Sequence, residues 1–65
     1  MNIRQRILLL LASRDCKGEE IVYELEAPRE NVYAELVAME AKKEVVFVKR
    51  NPPRPSVWVS MVETA

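Results

Sequence analysis

Residues 28–61 read PRENVYAELVAMEAKKEVVFVKRNPPRPSVWVSM, and the order of elements within this stretch decides the fold. Val32, Leu36 and Met39 recur at i, i+4 and i+7, the spacing of one helical face. Pro28 suits the first turn of a helix, where its missing N–H costs nothing. Together they predict a helix over about 28–42. At Glu44 the residue type switches to Val45-Val46-Phe47-Val48, which favours a strand over about 45–49. Ser56-Val57-Trp58-Val59-Ser60-Met61-Val62 reads as its antiparallel partner over about 56–62. Between the two lies Lys49-Arg50-Asn51-Pro52-Pro53-Arg54-Pro55. Its three prolines fix φ and favour a stiff, extended turn.

Upstream, GEEIVYEL predicts a short helix over about 19–25. Ile21, Val22 and Leu25 face inward, Tyr23 and Glu24 outward, and Glu19 and Glu20 suit the positive end of the helix dipole. Gly18 is the only glycine in the chain, so a tight turn is expected there. The first helix spans about 3–13. Asn2 caps it, with Gln5 at capping-box spacing. Ile3, Ile7, Leu10 and Leu11 share its inner face, Leu8 sits at the edge, and Leu9 falls on the opposite side. Glu63-Thr64-Ala65 is expected to be a loose tail. The whole is a single domain over residues 1–65, of α+β class: three helices followed by a β-hairpin.

Sixty-five residues bury only about 60% of the unfolded surface. That serves a three-helix core with a hairpin but not an enlarged catalytic cleft. With no His and one Cys, the usual zinc clusters and Ser-His or Cys-His pairs are absent, so neither an enzyme nor a cofactor is expected. The lone Cys16 is expected to be a small core filler. A single thiol suits a reducing compartment, hence a cytoplasmic location. The apolar run Ile7–Ala12 is too short for a membrane span, which needs about 20 residues. It is also too short for an ordinary signal peptide, and Arg14-Asp15 follow it where a cleavage site would stand.

The formal net charge is zero, which counts against strong general affinity for nucleic acid. Its distribution is uneven. Residues 15–44 hold nine acids and four bases, and the remainder holds six bases and one acid. The chain is therefore dipolar along its length.

The segment EAPRENVYAELVAMEAKKEVVFVKR resembles the core of bacterial and phage winged helix-turn-helix regulators. In that family a short turn opens the recognition helix. A Val or Ile anchors it, followed four residues later by a Leu, and a further Leu-like residue precedes the first wing strand. Val32, Leu36 and Met39 occupy these places, and the likeness covers about residues 2–62. The resemblance implies a double-stranded DNA-binding protein, a transcriptional regulator or phage-type accessory factor acting by occupancy. The third helix would enter the major groove and the hairpin would meet the adjacent backbone. Arg29 would then pair with a guanine or a phosphate and Asn31 with an adenine, while Tyr33 would reach a phosphate or stack. Lys49, Arg50 and Arg54 would contact phosphates or enter a minor groove. One module offers a small interface, so a homodimer or a larger complex is expected.

Two features depart from the family pattern. Lys43 stands where many relatives have a glycine at the end of the third helix. A non-glycine residue at positive φ is strained by about 1 kcal/mol, so a different helix end is expected. The outward face of that helix carries Glu30, Ala34, Val37, Ala38 and Ala41, which is small, apolar and slightly acidic. This supports an alternative function, a winged helix used as a protein–protein module through Leu9, Ala34, Val37 and Trp58. If Val48 faces Val57 across the hairpin, Phe47 faces Trp58. A shift by one residue changes these partners. Packing of the two aromatic rings is one reading of Trp58, and an exposed partner contact is the other.

Overall fold

The Asn2 side chain accepts a hydrogen bond from the Gln5 backbone N–H at 2.8 Å, and the Gln5 side chain accepts from the Asn2 N–H at 3.3 Å. This reciprocal cap partners two N–H groups at the first turn, and the helix starts where the sequence places it. In the computed structural model, which describes residues 1–62, the elements are α1 (Ile3–Ser13), α2 (Gly18–Leu25), α3 (Arg29–Ala41), β1 (Val45–Val48) and β2 (Val57–Ser60). The fold is α+β, three helices followed by a two-stranded antiparallel sheet. The tail expected at Glu63-Thr64-Ala65 lies outside the described residues. No described helix is long and apolar enough to cross a membrane.

The core is built from one to three side chains per element. Ile7, Ile21, Val32 and Leu36 are fully buried, and Met39 and Val45 nearly so. The Val32-Leu36-Met39 stripe packs inward as its spacing requires. Ile3, Leu8, Leu10 and Val22 lie partly buried around this centre. Leu9 is 57% exposed, on the outer side of α1.

α3 ends as a glycine-capped helix does, but with a lysine in the glycine's place. Lys43 adopts φ 62°. Its N–H donates to the Glu40 carbonyl and the Glu44 N–H donates to the Met39 carbonyl, both at 2.9 Å. These are the two bonds of a Schellman motif. The expectation of a different helix end is therefore corrected: two backbone hydrogen bonds outweigh the strain. Glu26 likewise closes α2 at φ 52°.

Gly18 also plays another part than expected. It is not at a left-handed turn; it is the buried first residue of α2. A Cβ there would lie 2.8 Å from Cζ of Tyr33 and closer still to its hydroxyl. The missing Cβ makes room for the outer end of the Tyr33 ring rather than serving a turn. The connection between α1 and α2 is extended instead. Cys16 forms a one-residue antiparallel bridge with Trp58, donating N–H to O at 3.3 Å and accepting at 2.7 Å. Cys16 is fully buried. This bridge pins the hairpin to the α1–α2 connection.

The hairpin register is Val45↔Ser60, Val46↔Val59, Phe47↔Trp58 and Val48↔Val57. The strands are shorter than the sequence suggests. At the tip the Ser56 hydroxyl accepts the Arg50 N–H at 3.0 Å, which ends the ladder there. At the other end the Met61 N–H donates to the in-register Glu44 carbonyl at 2.8 Å, one bond beyond Val45↔Ser60.

Candidate nucleic-acid interface

The hairpin holds a cationic tip on a fixed base. Phe47 and Trp58 pack as a tilted pair with ring centroids 5.1 Å apart, a contact that contributes about 0.5–1.5 kcal/mol beyond burial. Trp58 is only 8% exposed, so the reading of an exposed Trp58 presented to a partner is corrected. Its ring closes the core beneath the hairpin, with Phe47 at the rim. Above this pair, Lys49 and Arg54 are exposed and Arg50 is half-buried. No acid occurs anywhere in residues 45–62. None of the three cations forms an ion pair among the described residues.

The start of α3 presents the other predicted side chains, but not on one face. Asn31 is exposed. Arg29 is exposed but paired, its Nη2 donating to Oε2 of Glu19 at 2.7 Å. Thus an acid of α2 reaches the face where a free cation was expected. Exposed pairs of this kind contribute about 0–1 kcal/mol, so a phosphate can compete for Arg29. Tyr33 is half-buried and turned toward α2. Burial raises its phenol above the ordinary value, and the nearby Glu19 carboxylate acts in the same direction. Tyr33 therefore stays a neutral hydrogen-bond donor across the physiological range.

Tyr33, Phe47 and Trp58 border a shallow depression of about 410 Å³, with Gly18 on its floor and Ser56 at its hairpin edge. Ser56 carries the base of the cationic tip through its bond to Arg50. Hence α3, through Tyr33 and Glu40, and the root of the tip share one groove. Lys17 and Glu19 from the start of α2 and Glu40 near the end of α3 complete the border. These three were absent from the candidates read from the sequence, since a depression shared by α2, α3 and the hairpin leaves no local pattern.

The remaining candidates divide cleanly. Ala34 and Val37 are exposed on α3, Val37 at 62%, while Leu9 is exposed on α1. The Met1, Gln5, Leu8 and Leu9 side chains line a separate shallow depression. No protein-family model, curated protein or solved structure matches the chain. The functional reading accordingly rests on the arrangement of these side chains.

Proposed function

We propose that this chain is a small winged-helix protein that binds double-stranded DNA and acts by occupancy, as a transcriptional regulator or an accessory factor in a larger assembly. The observation that carries this reading is the acid-free hairpin tip. There Lys49, Arg50 and Arg54 stand without ionic partners among the described residues, on a register-fixed base. Cations so placed neutralise phosphates and release counterions, the sequence-independent part of DNA affinity. In this reading α3 lies in the major groove, Asn31 addresses a base edge, and Arg29 exchanges Glu19 for a phosphate. Tyr33 supports α3 from the groove it shares with the hairpin. A titration against random duplex at several salt concentrations tests it. Binding that weakens steeply with salt is expected, and no measurable binding at low salt overturns it. Asn31→Ala should alter preference among sequences while leaving the salt slope nearly unchanged.

A second reading, a winged helix that docks a protein, is favoured by exposed apolar side chains: Leu9 beside Met1 and Leu8 on the outer side of α1, and Val37 on α3. Leu9→Lys should leave the fold intact and weaken any self-association. Sedimentation at equal concentration measures this, and unchanged association removes α1 as the contact.

A further inference from the structure

We infer that the outer edge of β1 is an interface for a second copy of this chain, the two β1 strands joining antiparallel about Phe47 into one continuous sheet. The inference goes beyond the DNA-binding reading and does not depend on it.

β2 is flanked on both sides. It pairs with β1, and on its other side Trp58 exchanges two backbone hydrogen bonds with Cys16. A residue whose N–H and C=O both point to one neighbour has neither left for the other, so Phe47↔Trp58 is a non-hydrogen-bonded pair of the β1–β2 ladder. The bond from the Met61 N–H to the Glu44 carbonyl follows the same alternation: Glu44 faces β2, while Val45 and Phe47 face away from it. The N–H and C=O groups of Val45 and Phe47 thus point to the outer edge of β1. Among the described residues no backbone group there pairs with them. Natural sheets blunt such an edge with charge, proline or a bulge. Val45-Val46-Phe47-Val48 has none of these, and Val46 and Phe47 are 36% and 42% exposed beside it.

Charge complementarity selects a second copy as the occupant and fixes the register. With the two-fold axis at Phe47, each Phe47 exchanges both backbone bonds with its equivalent. Val45 then pairs with Lys49 of the second copy, and Val46 packs against Val48 in the closely spaced non-hydrogen-bonded position. One residue further out, Glu44 meets Arg50 of the second copy, and symmetry repeats the contact. Arg50 has no ionic partner of its own among the described residues, and Glu44 is only partly covered by Arg4. Moving the axis to Val46 would oppose Lys43 and Lys49, and moving it to Val48 would set Glu44 against Pro52, with no cation to meet it. Residues 51–55 lie beyond the paired segment, so the tip still projects from the joined sheet.

The test is sedimentation equilibrium of the full chain without DNA, from about 1 µM to about 1 mM. A reversible monomer–dimer equilibrium is expected. A chemically synthesised chain carrying an N-methyl group on the Phe47 nitrogen loses the outward donor and gains bulk at the edge. Its own ladder does not use that N–H, so its circular dichroism should match the parent's while the dimer is lost. Arg50→Glu sets like charges together and should raise the dimer dissociation constant by roughly 2- to 30-fold for the symmetric pair of contacts. A parent that stays monomeric throughout the range overturns the inference, as does a dimer that both changes leave intact. A dimer abolished by Leu9→Lys but not by N-methylation assigns the contact to α1 and overturns it too. A dimer lost on N-methylation but indifferent to Arg50→Glu overturns the register. None of these outcomes alters the DNA titration, which stands or fails separately.

Discussion

Gly18 of α2 lies directly against the ring of Tyr33 on α3, so close that an added Cβ would stand 2.8 Å from Cζ. Gly18→Ala should therefore destabilise the protein by about 1–3 kcal/mol as the ring is forced aside, although alanine is ordinarily the better helix former by up to about 1 kcal/mol. In a Tyr33→Ala background the clash is gone, and the same change should become neutral or stabilising. Thermal unfolding of the four proteins measures the coupling. Equal effects of Gly18→Ala in both backgrounds would contradict the packing described.

The left-handed Lys43 gives a prediction of opposite sign. Glycine adopts φ 62° without the Cβ penalty. Lys43→Gly should raise stability by about 1 kcal/mol, because the Schellman bonds are made by backbone and survive the change. Denaturant unfolding gives the shift in midpoint. A loss of stability would mean that the lysine side chain contributes more than the strain removes.

Arg4 on α1 and Glu44 after α3 form a two-pronged ion pair that ties the ends of the helical core together, with Nε donating to Oε1 at 3.1 Å and Nη2 donating to Oε2. Hydrogen bonding from Arg4 holds the Glu44 carboxyl below its ordinary value. A group whose folded pKa is depressed stabilises the fold above its unfolded pKa and loses that contribution as pH falls through the folded one. Stability should thus decline as pH drops below about 4.3, the ordinary glutamate value. Glu44→Gln should be less stable near neutrality and show a flatter decline in acid. Unfolding midpoints measured from neutral pH down through the carboxylate range test this, and parallel curves would exclude Glu44 as the titrating group.

Spacing made the helices legible. The Val32-Leu36-Met39 stripe and the Asn2–Gln5 cap are local patterns, and both appear in the fold as read. The hairpin register was legible as one of two options, and the pairing Phe47↔Trp58, Val48↔Val57 is the first of them. What escaped were contacts without a side-chain signature. The Cys16–Trp58 bridge is made by backbone atoms far apart in the chain, and nothing in the two side chains announces it. Gly18 was legible as special but not for the right reason, since its constraint comes from Tyr33 on another helix. The pairing of Arg29 with Glu19 was hidden for the same cause.

If the hairpin tip grips phosphate as proposed, the salt dependence of DNA binding must change in the triple variant Lys49→Ala/Arg50→Ala/Arg54→Ala. None of these side chains belongs to the apolar core, so the fold should persist, which circular dichroism verifies. Affinity should fall to a similar degree on every duplex. The slope of log K against log salt should shrink by about 0.9 for each phosphate no longer neutralised, up to roughly 2.7 for all three. A triple variant that binds with the parent's affinity and the parent's slope would contradict the account.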